Sequence, residues 1–170
     1  MGEEKQNWFQ KHRGFIFGFA VVVLILNILI FLLVPSQSAV AWEKTAAEYS
    51  LTDESPEQTH TLQLEGTLTT GVLTGSSFSG TLTLDGVSLH YSARRENGRW
   101  DGAFSDASGQ TLAQARFGEL CVSALNADKS FQTPVLLLAA GTDEVRFLVP
   151  GAKTRLAALQ QIYQQFPEYS

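Results

Sequence analysis

With a single cysteine, Cys121, the chain cannot close an intramolecular disulfide, so packing rather than covalent staples must hold it together. Histidine is almost as scarce, at three residues, and the spacings H-E-x-x-H and C-x-x-C are both missing. There is no P-loop, no G-x-G-x-x-G and no G-x-S-x-G. Motif-bearing zinc, nucleotide, dinucleotide and serine-hydrolase sites are thereby excluded, and the sequence assigns no catalytic residue, no metal ligand and no cofactor. Positive charge is also short: 12 Lys and Arg face 17 Asp and Glu, and beyond residue 34 the balance is 9 to 15. Phosphate recognition needs a basic footprint, so nucleic acid is excluded as a partner. The most informative absence is local. From Phe15 to Val34 there is no charged residue at all.

That stretch is 20 residues of mostly Phe, Val, Leu and Ile, interrupted only by Gly18, Ala20 and Asn27. At ~1.5 Å rise per residue it makes about 30 Å of helix, one hydrocarbon thickness. Backbone groups in lipid must pair within the segment, which requires a helix. The sequence therefore predicts a transmembrane helix over residues 14–34, with the lipid bilayer as its partner through Phe15–Val34. Lys11, His12 and Arg13 lie directly before it, and short basic flanks stay cytoplasmic. Residues 1–13 then form a cytoplasmic stub too short to fold, and the acidic remainder is extracytoplasmic.

Three fates are open to the apolar run. It remains as a single-pass anchor, or it is removed as a secretory signal. In the second case Ala39-Val40-Ala41 supplies an A-x-A site, cleavage follows Ala41, and Trp42 becomes the new amino terminus. The third fate follows from a likeness. Arg13-Gly14-Phe15, opening a long apolar helix with Pro35 at its far end, resembles the amino terminus of type IV pilins and of Gram-positive competence pseudopilins. The resemblance covers residues 11–35 and implies peptidase cleavage after Gly14, with Phe15 starting a helix that packs into a filament. It departs from the family at Phe19, where most pilins carry glutamate.

Residues 35–58 are expected to form a short helix or stalk over Ala39–Tyr49, followed by a polar linker, Thr52–Gln58. From residue 59 to 170 the pattern is that of a mainly β domain. Leu62 and Leu64, then Leu82 and Leu84, then Val87, Leu89 and Tyr91 recur at period two. Asp85-Gly86 and Asn97-Gly98 separate such runs, and both are two-residue turns that tolerate positive φ at each position. Further breaks at 106–109, 118, 126–129 and 141–143 predict an antiparallel meander of about seven or eight strands, as a partly closed barrel or a two-layer sheet. Pro134 has no N–H to donate, so its strand should begin at Val135 or lie at an edge. Cys121, in an alternating Leu-Cys-Val-Ser stretch, reads as a buried structural thiol. After Pro150-Gly151 the period becomes helical, with Leu156, Leu159, Ile162, Tyr163 and Phe166 on one face, packed on the sheet.

Leu64-Glu-Gly-Thr-Leu68, Phe78-Ser-Gly-Thr-Leu82 and Trp100-Asp-Gly-Ala-Phe104 share one spacing, apolar-x-Gly-x-apolar. In a strand each glycine lies on the same side as its large neighbours and leaves room for an aromatic ring. Gly102, between Trp100 and Phe104, is expected to be the least tolerant of a methyl group. Over residues 64–109 the pattern resembles the MORN repeat, a hairpin module built on aromatic-x-Gly-x-aromatic units.

Arg94, Arg95 and Arg99 surround the Asn97-Gly98 turn as the one basic cluster of the acidic domain, a contact patch for anionic headgroups or a cell-wall polymer. Gly14 and Ala41 are the candidate processing sites. His90, between Leu89 and Tyr91, should point to the opposite, exposed face. The function expected from the sequence is non-enzymatic binding or scaffolding in the cell envelope, with an envelope protein or polymer as partner. A pilin-like subunit and a secreted protein are the alternatives, and a small enzyme without a sequence motif is the reading from another class.

Overall fold

All but the last residue of the uncharged run lies inside one long helix, α1, Glu3–Leu33, which reaches back through the basic flank, so residues 3–13 are helical. The computed structural model describes residues 3–52, 58–139 and 145–170. The expected linker residues 53–57 and the break at 141–143 fall outside them. Two compact units result: Met1–Ser36 with Gly71–Thr74, and Gln37–Thr70 with Gly75–Ser170.

The second unit is mainly β, as the alternation predicts. Its strands are β1 (Ser36–Ser50), β2 (Thr59–Gly71), β3 (Gly75–Leu84), β4 (Val87–Glu96), β5 (Arg99–Ser105), β6 (Ala115–Phe117), β7 (Leu120–Asn126), β8 (Val135–Leu138) and β9 (Arg146–Pro150). They form one antiparallel sheet in the order β5-β4-β3-β2-β1-β9-β8-β7-β6. The sheet curls until its two ends meet. Leu112 N donates to Phe104 O at 2.8 Å, Asn126 Oδ1 accepts from Trp100 N at 3.2 Å, and the Phe104 and Phe117 rings lie 5.8 Å apart. The barrel is nearly closed. Both two-residue turns form as expected, with φ of 49° and 84° at Asp85-Gly86 and 49° and 86° at Asn97-Gly98. β8 starts at Val135, directly after Pro134, although it is an interior strand.

The main correction concerns β1. The stretch Ala39–Tyr49, read as a helix on propensity, is the middle of a 15-residue strand, so the barrel begins near Gln37 and not at residue 59. Propensity is a weak prior, and here position overrides it. β1 is flanked by β2 and β9, with Ala46 opposite Pro150 and Ser50 opposite Arg146, so its backbone groups are bonded in ladders on both sides. Alternation then divides its side chains. Val40, Trp42 and Ala46 pack into the barrel core, while Ala47 and Tyr49 face a second, outer core.

That outer core is covered by α2, Arg155–Gln165, capped by Thr154 Oγ1 accepting from Ala157 N at 3.3 Å. Ala158, Ile162 and Phe166 bury against Tyr49, Val135, Phe147 and Val149. The helix is rotated from the expected face: Leu156 and Tyr163 are exposed and Ala158 takes the contact. A small residue there lets the helix approach the sheet closely. Cys121 is also corrected, being half-buried on β7 rather than sealed in the core.

The inner core is aromatic. Phe131, fully buried at the heart of the barrel, stacks on Phe78 at 4.1 Å and meets the Trp100 edge at 4.5 Å. It comes from the β7–β8 loop and sits at φ 57°, a left-handed conformation unusual for an aromatic residue. Asp128 holds the loop in that shape. Its Oδ1 accepts from Gln132 N and Thr133 N, both at 2.7 Å, and its Oδ2 from the Ser130 N–H and hydroxyl. Trp42 Nε1 also fastens the loop by donating to Phe131 O at 2.9 Å.

Burial pushes the Asp128 carboxyl up, but its bonds from Ser130 and Thr133 outweigh that and hold it below the usual carboxylate range. A carboxyl held low when folded contributes stability that is full above the ordinary carboxylate pKa and fades as pH falls toward the folded value. Asp128→Ala should therefore cost about 2 kcal/mol near neutrality, by orphaning the loop N–H groups. In thermal melts the gap between parent and variant should narrow at pH 3. A gap that stays the same at both pH values would show that the carboxylate charge is not what holds the loop.

Candidate functional site

Alternation places a polar layer where the inner core ends. Glu48 follows Ala46 by two on β1, His60 precedes Leu62 by two on β2, and Arg146 precedes Leu148 by two on β9. All three point to the inner face, and the β3–β4 turn adds Asp85. His60 Nδ1 lies 2.6 Å from Asp85 Oδ2, and Asp85 Oδ1 accepts from Thr61 N at 2.9 Å. Glu48 is 5% exposed, and its Oε1 accepts from Arg146 Nη1 at 3.2 Å. Its Oε2 lies 3.9 Å from His60 Nε2. Among the described residues that Nε2 has no hydrogen-bond partner, although it is buried. Desolvation raises the Asp85 carboxyl, but the His60 and Thr61 bonds prevail and hold it below its ordinary value.

An imidazole oriented by one carboxylate, with its second nitrogen free, is the arrangement of a general base. Chemistry would need a nucleophile within reach of Nε2, and among the described residues no hydroxyl or thiol bonds to it. Nor do three His, Cys, Asp or Glu side chains converge there as metal ligands among the described residues. With neutral His60 the four groups carry one net negative charge, and a proton on His60 would cancel it. The four groups form a polar cap over the inner core, on β1, β2, β9 and the β3–β4 turn.

The lumen behind the cap is filled by side chains. The Tyr91 ring lies 4.7 Å from Phe104 and 6.4 Å from Phe131, and its hydroxyl donates to Leu125 O at 3.2 Å. Burial pushes that hydroxyl well above the usual phenol range, so it stays a neutral donor.

The arginines named from the sequence do lie together on the β4–β5 hairpin, with separate engagements. Arg99 Nη2 pairs with Glu168 Oε2 at 2.7 Å. Arg95 donates to Gly98 O at 3.1 Å and lies over the Trp100 ring at 5.9 Å. Arg94 is exposed opposite Asp101. His90 is exposed as expected, 3.3 Å from Ser79 Oγ. Gly14 lies within α1 with open space around it. Ala41 lies within β1, beside buried Val40. The cap itself has no sequence signature, because its members are 12 to 98 residues apart and no spacing links them. Neither a protein-family model, nor a curated protein, nor a solved structure matches the chain.

Proposed function

We propose that the chain is a single-pass membrane protein, amino end cytoplasmic, that presents its barrel outside the membrane as a non-enzymatic binding or scaffolding module of the cell envelope. The observation carrying this is the helix over His12–Leu33, 22 residues of mean hydropathy 3.1, none of it buried. A helix so apolar and so bare needs a lipid environment, and Lys11–Arg13 at its start gives the orientation. The filled lumen supports surface binding.

A second observation favours retention of the anchor over secretion. Cleavage after Ala41 would remove Ser36–Ala41 from β1, and with them buried Val40 and the Ser38 hydroxyl bond to Leu68 O at 3.4 Å. Mass spectrometry of the native amino terminus tests the reading directly. Residue 1 or 2 is expected. A mass starting at Trp42 would make the protein secreted, and one starting at Phe15 would make it pilin-like. Protease added to intact cells should cut the chain between 53 and 58 while the amino-terminal stub stays protected. Protection of that segment until cells are permeabilised would reverse the topology.

A further inference from the structure

We infer that the tip of the β2–β3 hairpin, Val72-Leu73, is a second membrane contact, seated in the interfacial layer of the bilayer beside the exit of α1; the inference rests on the anchor reading. Val72 is 65% exposed and Leu73 67%. Two adjacent large apolar side chains at a turn are unusual for this chain, whose other tight hairpins among the described residues turn on Asp85-Gly86, Asn97-Gly98 and Gly118-Glu119. Nothing in the turn geometry demands them. Gly75, at φ 75°, supplies the left-handed residue that a three-residue loop needs, so positions 72 and 73 are free to be polar.

Position within the first unit identifies the occupant. Gly71–Thr74 belongs to the same compact unit as α1. A Cβ on Gly71 would meet Pro35 Cβ at 3.4 Å, so the base of the tip lies against the residue that ends the apolar segment. The helix needs about 30 Å of hydrocarbon, which brings Leu33, Val34 and Pro35 to the outer boundary of the bilayer. Leu33 and Val34 are themselves 60% and 62% exposed. From Gly66 to Leu84 the sequence has no charged residue, so no charge near the tip opposes entry into the interface. Thr69, Thr70 and Thr74 offer hydroxyls at headgroup level. With no cation near the tip in sequence, the contact should form on neutral lipid. The consequence is a two-point attachment to the bilayer, one leg spanning and one dipping.

The test uses the full chain in phosphatidylcholine vesicles, with an environment-sensitive fluorophore on single cysteines in a Cys121→Ser background. Leu73→Cys, with Val72→Cys as a second reporter, probes the tip; Leu24→Cys probes the anchor; Ser88→Cys, exposed on β4, is the aqueous control. The tip labels should emit to the blue of the Ser88 label and lose most of their emission to lipids brominated near the headgroup. The Leu24 label should be quenched by lipids brominated deep in the chains. If Leu24 is quenched while both tip labels behave like Ser88, the tip contact is overturned and the anchor stands. If Leu24 is not quenched either, the anchor reading falls and the inference with it.

Discussion

A fragment of residues 36–170 is expected to be soluble and monomeric, with a β-rich circular dichroism spectrum and one cooperative melt, whereas residues 52–170 should not fold. The difference is β1 alone. It stands in the middle of the sheet, with β2 to β5 on one side and β6 to β9 on the other. Removing it leaves β2 and β9 as raw edges and divides both cores, which it enters through Val40 and Ala46 on one face and Tyr49 on the other. The side-chain burial lost with β1 is roughly 5–10 kcal/mol, comparable to the whole stability of an ordinary domain. The polar cap also loses Glu48, whose Oε1 pairs with Arg146 at 3.2 Å. Exposed edges and apolar faces should then make residues 52–170 aggregate. Analytical ultracentrifugation with circular dichroism would decide. A cooperative melt from residues 52–170 matching that of 36–170 would mean that β1 only decorates a complete barrel.

Gly80→Ala should be the most damaging single methyl in the chain, with Gly66→Ala beside it. The two glycines face each other across β2 and β3, and a Cβ on Gly66 would lie 2.7 Å from Gly80 Cα and 2.6 Å from Ser79 O. A Cβ on Gly80 would run into Glu65 O, and each meets the end of the Phe78 ring, at 2.7 Å from Gly66 and 2.8 Å from Gly80. Main chain cannot step aside without opening the β2–β3 pairing, and Phe78 is pinned by Phe131. Overpacking commonly costs 1–3 kcal/mol, and the backbone clash puts these two at about 3. Gly102→Ala meets side chains instead, the Tyr91 ring and Ala93 Cβ at 2.6 Å, and should cost less. Spacing in the sequence points to Gly102 as the most sensitive of the three. The structure moves that role to the pair in register, where carbonyls rather than rings block the space. At an unconstrained site Gly→Ala gains about 0.4–1 kcal/mol, so the sign is diagnostic. A Gly80→Ala variant of residues 36–170 melting at or above its parent would refute the packing account.

Local information determined much of this protein. The apolar run Phe15–Val34 is long and apolar enough to cross a membrane as a helix, and α1 contains nearly all of it. Asp-Gly and Asn-Gly between alternating runs require hairpins, because few other pairs accept two positive φ values, and β3, β4 and β5 follow in register. Other features needed contacts between distant residues. Ala39–Tyr49 is a strand because two neighbours bond it, a fact absent from its Ala, Glu and Lys content. Phe131 fills the barrel because Asp128 bends a loop inward. Leu156 faces out because the sheet beneath α2 has room for Ala158. Glu48, His60, Asp85 and Arg146 meet only once β3, β2, β1 and β9 have paired side by side. Periodicity and turn chemistry report what a residue does with its near neighbours. Burial, register and the joining of charges depend on which strands meet, and that is decided by the fold.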